Sequence, residues 1–104
     1  MSISPAKVRE LVASLPGAEE SAHHGHPDFR VRKQIFATLS EAEDRAALRL
    51  TQLESRALAA NQPAVFRLVS DKDPYAYVSV LLDAVAEEEF ADLFEAAWKL
   101  RAGE

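Results

Sequence analysis

The sequence predicts an α+β fold: a two-layer sandwich whose antiparallel sheet is covered on one face by the N- and C-terminal helices. Three observations predict it. Apolar residues recur at helical spacing near both ends of the chain, and they alternate with polar ones through the middle. The first two alternating runs are joined by a link short enough for a hairpin, which makes the pairing antiparallel. A sheet with one apolar face needs cover, and each terminal helix offers one apolar stripe.

The elements follow in order. Ser4 suits a helix N-cap and Pro5 the first helical position, where a missing N–H costs nothing. Val8, Leu11, Val12 and Leu15 then fall on one helical face, and Pro16-Gly17 stops the helix. Phe29 and Val31 alternate with Asp28, Arg30 and Arg32, and Ile35, Ala37 and Leu39 alternate with Phe36 and Thr38. Period two means strands with one buried face. Arg32-Lys33-Gln34 joins them as a hairpin, without the glycine or asparagine that a tight turn prefers. After a charged loop at 40–44, Ala46, Leu48 and Leu50 alternate with Arg45, Ala47 and Arg49.

Thr51-Gln52-Leu53-Glu54 is a capping box, opening a short helix to about Ala60 that stops at Asn61-Gln62-Pro63. Asp71-Lys72-Asp73-Pro74 is a turn cluster before a strand from Tyr75 to Leu82. Asp83 is positioned to cap a long last helix with Glu87, Glu88 and Glu89 near its positive end. Its apolar stripe is Phe90, Leu93, Phe94, Ala97 and Trp98. The predicted order is α-β-β-β-α-β-α, with 19–24 and 65–69 as candidate additional short strands.

The 104 residues form a single domain, 1–104, of ordinary globular composition, 48% apolar and 28% charged. There is no cysteine, which excludes disulfides, thiolate metal sites and cysteine nucleophiles. Lys7, Arg9 and Glu10 interrupt the N-terminal segment, no signal-peptide core follows, and no run is long enough to span a membrane. A cytoplasmic protein without a membrane partner is expected. The net charge of −5 is unevenly spread: residues 73–104 carry −6 and residues 28–72 carry +2. Overall acidity argues against strong non-specific nucleic-acid binding, which is driven by phosphate neutralisation.

All three histidines stand within "HHGHPDF", residues 23–29. In an extended strand His23 and His24 point to opposite faces, while His24 and His26 share one, about 7 Å apart. Asp28 is the nearest third ligand. Two or three such groups fall short of a closed zinc site, so His24, His26 and Asp28 are weak metal candidates and no metal or cofactor is expected. No nucleophile elbow surrounds Ser21, and the three isolated glycines make no phosphate loop. The sequence therefore points away from an enzyme.

"LPGAEES" (15–21), "GHPDFRV" (25–31), "IFATL" (35–39), the Thr-capped helix at 51 and a closing "AAW" (96–98) together resemble the MmcQ/YjbR family of small bacterial proteins. The resemblance covers nearly the whole chain in order. It implies a CyaY-like, frataxin-like sandwich and DNA binding through a double-wing sheet surface, and it brings no catalytic residue. The chain departs from common members at Arg32-Lys33, where many carry glycine. It departs again at Pro74-Tyr75-Ala76-Tyr77, where a glycine-tryptophan pattern is usual.

The alternation assigns Arg30, Arg32, Phe36, Thr38, Arg45, Arg49, Tyr75 and Tyr77 to the helix-free face, with Lys33 at a hairpin tip. Arginine binds phosphate and tyrosine offers a stacking platform, so Arg30, Arg32, Lys33, Arg45, Arg49, Tyr75 and Tyr77 are the candidate nucleic-acid residues. Arg and Tyr are also ordinary residues for an uncovered sheet face. The alternative is a protein partner, self-association or a small ligand on the same face, with exposed Phe36 beside the tyrosines as an apolar patch.

Overall fold

The computed structural model describes residues 3–72 and 74–103. Nine elements follow one another: α1 (Pro5–Ser14), β1 (Ala18–His23), β2 (His26–Val31), β3 (Gln34–Leu39), β4 (Arg45–Thr51), α2 (Gln52–Asn61), β5 (Phe66–Asp71), β6 (Tyr75–Leu81) and α3 (Glu87–Ala102). Both candidate additional strands form, as β1 and β5. Asp73, in the turn expected at 71–74, lies outside the described residues.

The caps explain where the first two helices start. The Ser4 hydroxyl accepts from the Lys7 N–H at 3.1 Å, and the Thr51 hydroxyl accepts from the Glu54 N–H at 3.1 Å. Asp83 does not cap α3. The N-cap is Ala86, without a side-chain bond, because Ala84 and Val85 both donate to the Leu81 carbonyl in a turn that drops Val85 into the core. Three glutamates in the first turn and Lys99 and Arg101 in the last complement the helix dipole.

The six strands form one antiparallel sheet in the order β1-β2-β3-β4-β6-β5. Phe29, Ala37, Leu48, Val78 and Val80 point to one face, where Val8 and Val12 of α1, Leu58 of α2 and Phe90, Leu93, Phe94 and Ala97 of α3 meet them. The second helix thus joins the two terminal ones in covering that face. Phe94 is the hub, its ring centre 5.7 Å from Phe29, 5.3 Å from Phe36 and 5.5 Å from Phe90. The Trp98 indole donates to the Pro16 carbonyl at 3.1 Å and ties α3 to the corner after α1.

One strand breaks its period. β2 pairs Phe29 with Ala37 but Arg30 with Ile35, so β3 carries Phe36 as an extra residue in a bulge. The bulge turns Phe36 into the core, where it is 0% exposed, and leaves Ile35 half-buried. This reverses the sequence assignment of the two residues and removes Phe36 from the helix-free face.

Candidate binding face

The face without helices takes alternate residues of every strand. Glu19 stands opposite Arg30, Ser21 opposite Asp28, Asp28 opposite Thr38, Ala47 opposite Ser79, and Arg49 opposite Tyr77. Its arginines differ in what holds them. Arg30 donates to both oxygens of Asp28, from Nε at 2.9 Å and Nη2 at 3.1 Å. Asp28 is 0% exposed and also bonds His23 Nδ1 at 2.7 Å. The Arg30 guanidinium, helped by His23, holds the Asp28 carboxyl below its ordinary value although burial pushes the other way. Arg45 Nη1 donates to the Ser79 hydroxyl at 3.0 Å.

Arg49 lies differently. Its guanidinium carbon sits 3.9 Å above the centre of the Tyr75 ring, and the residue is only 8% exposed. Next to it Tyr77 is half-buried, and burial raises its phenol above the usual value while nearby Arg101 and Arg49 pull it down. Arg101 reaches there from the last turn of α3: its Nε donates to the Ile35 carbonyl at 3.0 Å, and its guanidinium hydrogen-bonds Tyr77. β3 pairs with β4 only from Ala37 to Leu39, whereas β4 pairs with β6 along its whole length. A shallow cleft of about 290 Å³ is lined by Arg49, Ser70, Lys72, Pro74, Tyr75 and Tyr77.

The Arg32-Lys33 turn closes β2 onto β3 with both residues at positive φ, 55° and 66°. Arg32 Nη1 donates to the Ala102 carbonyl at 3.1 Å, anchoring the turn to the end of α3, while Lys33 stays exposed. Register puts this turn at the same end of the sheet as Tyr75. Of the sequence-predicted residues, Arg32, Lys33, Arg49, Tyr75 and Tyr77 therefore share one end. Arg30 is engaged by Asp28, and Arg45 sits near the opposite end, beside Leu81.

The YjbR family model matches residues 13–100. The chain belongs to the YjbR family. The crystal structure of the Deinococcus radiodurans protein DR2400, of domain family DUF419, superposes with a TM-score of 0.82 at 19% identity, covering 93% of this chain and 77% of that one. That likeness carries the fold. No curated protein matches. In this YjbR-family chain, Lys72 and Ser70 line the cleft without having been singled out in the sequence, and Arg101 reaches Tyr77 beside it. Lys72 stands in a turn cluster and Arg101 in a helical last turn, so each has a local explanation that hides the shared location.

The histidines also differ from their predicted placing. His24 (φ 49°) and Gly25 (φ 78°) form a two-residue turn, so His23 stands directly opposite His26. His24 and His26 are therefore not the pair on one strand face, and Asp28 is held against Arg30 and His23. Among the described residues no group of three His, Cys, Asp or Glu side chains is gathered as a metal site. No helix there is long and apolar enough to cross a membrane.

Proposed function

We propose that this chain is a non-enzymatic, cytoplasmic binding module that takes nucleic acid, DNA in the first instance, on the helix-free face of its sheet. The observation that carries the reading is Arg49 held over the Tyr75 ring in a cleft with Tyr77 and Lys72. Stacking platforms beside cations suit unpaired bases and their phosphates, and each base stacked on an aromatic ring contributes about 1–3 kcal/mol. Lys33 extends the same basic end as an exposed turn. The acidic residues of the last third are concentrated on α3, across the sheet from the cleft, so the net negative charge does not oppose an approach from the open side.

The test is a fluorescence-anisotropy titration with labelled single-stranded and duplex DNA at low and physiological salt. Salt-sensitive binding that weakens in Arg49→Ala supports the reading. Absence of binding at low salt overturns it. One observation favours a second reading on the same face: Arg30 and Arg45 bond to Asp28 and Ser79, which concentrates recognition in the cleft. That suits a small anionic ligand better than an extended strand. In that case a mononucleotide or inorganic phosphate would bind the cleft while DNA would not. A protein-partner reading has lost the apolar patch that Phe36 was expected to provide.

A further inference from the structure

The β1–β2 hairpin brings two imidazoles together at the end of the sheet away from the cleft. His23 and His26 are a directly opposed cross-strand pair, their ring centres 6.3 Å apart. Such pairs carry Cβ atoms about 4.5–5.5 Å apart, within reach of a common ligand. With Zn–N bonds of about 2.0–2.1 Å, each ring centre stands about 3 Å from a shared ion, so the observed gap is at the outer limit and small χ rotations close it.

The nitrogen available on His23 is set by its neighbour. Asp28 is buried, and Arg30 donates to both of its oxygens. The 2.7 Å bond to Asp28 occupies His23 Nδ1, which leaves Nε2 as the nitrogen for a ligand. A carboxylate behind an imidazole is the arrangement that orients metal-binding histidines and raises their basicity. The His23 side chain is 39% exposed. His24 packs its ring edge-on to His23 at 5.6 Å and is not part of the opposed pair.

From this geometry we infer that the hairpin is a binding site for a borderline first-row dication, zinc, nickel or copper(II), held by Nε2 of His23 and by the His26 imidazole. Water completes the coordination. Imidazole suits these ions, and copper(II) is expected to bind tightest.

The experiment uses tag-free protein titrated with ZnCl₂ and with NiCl₂ by calorimetry above pH 7, because metal binding competes with protons for its ligands. One ion per chain and a raised melting temperature are expected. His23→Gln or His26→Gln weakens binding by at least ~10-fold, while His24→Gln leaves it nearly unchanged. Imidazole ¹⁵N shifts in the unaltered protein report the ligating atom directly: movement at His23 Nε2 supports the site, and movement at Nδ1 overturns it. Binding that survives His26→Gln, or no binding of either ion, also overturns it.

Discussion

The guanidinium of Arg49 lies 3.9 Å above the centre of the Tyr75 ring, and the two residues come from strands adjacent in the sheet but separated in sequence by α2 and β5. If this pair reads nucleic acid, each half fails differently. Tyr75→Ala removes a stacking platform and weakens single-strand binding by about 1–3 kcal/mol at any salt concentration. Arg49→Ala reduces the salt slope by about 1. Anisotropy over a salt series, with circular dichroism to verify the fold, separates the two. An unaltered slope in Arg49→Ala removes the phosphate role.

The buried Asp28 carboxylate makes stability depend on acid. Its folded pKa lies below the ordinary 3.8, chiefly through Arg30. The stabilisation is therefore complete above the ordinary value and is lost as pH falls through the folded one. Thermal melts should show a declining limb below about pH 4. In Asp28→Asn the melting temperature is lower at neutral pH and this limb is shallower. An identical acid limb in the variant would count against Asp28 as its source.

The bulge in β3 predicts an unequal pair of neighbours. Phe36→Ala opens a cavity against Phe94 and is expected to cost about 3–5 kcal/mol, whereas Ile35→Ala, outside the ring cluster, costs about 1 kcal/mol or less. Urea denaturation measures both. A larger loss at Ile35 than at Phe36 would mean the strand keeps its simple alternation.

The Arg32-Lys33 turn is strained, since both residues occupy the left-handed region at φ 55° and 66°. Lys33→Gly is expected to stabilise the fold by about 0.5–1 kcal/mol by relieving its share. If Lys33 acts as the basic tip of the binding face, the same variant binds DNA less well. A more stable protein with weaker binding would identify the lysine as retained for recognition at some expense in stability. Unchanged binding would leave the turn with no part in it.

Most of the architecture was legible because it rests on local periodicity and caps. Ser4, Thr51 and the stripe from Phe90 to Trp98 each announce a helix within a few residues. Three features were hidden because they depend on register or distant packing. The inward turn of Phe36 needs the extra residue opposite β2, which no period-two count contains. Asp28 reads as a polar strand residue and weak metal candidate and proves to be buried between Arg30 and His23. The opposition of His23 to His26 follows from a turn at His24-Gly25 that the stretch, read as one extended strand, conceals. The cleft was half visible: its tyrosines and Arg49 alternate on a strand pattern, but Ser70 and Lys72 come from a strand end and turn whose composition gives no hint of a site.

The strand order gives the chain an uneven route to its native state. β1 to β4 run consecutively and are joined by short links, so they can zip together one hairpin at a time, and β5 and β6 make a further hairpin of their own. The β4–β6 ladder is the exception, since it closes the loop that contains α2 and β5. Loop-closure entropy makes that docking the slow event of folding. Arg49 and Tyr75 stand on opposite sides of that seam. The cleft therefore comes into being only when the two hairpin systems join, and a half-folded chain presents no cleft to occupy. An occupant of the cleft would act as a clamp across the seam, slowing unfolding far more than it speeds folding.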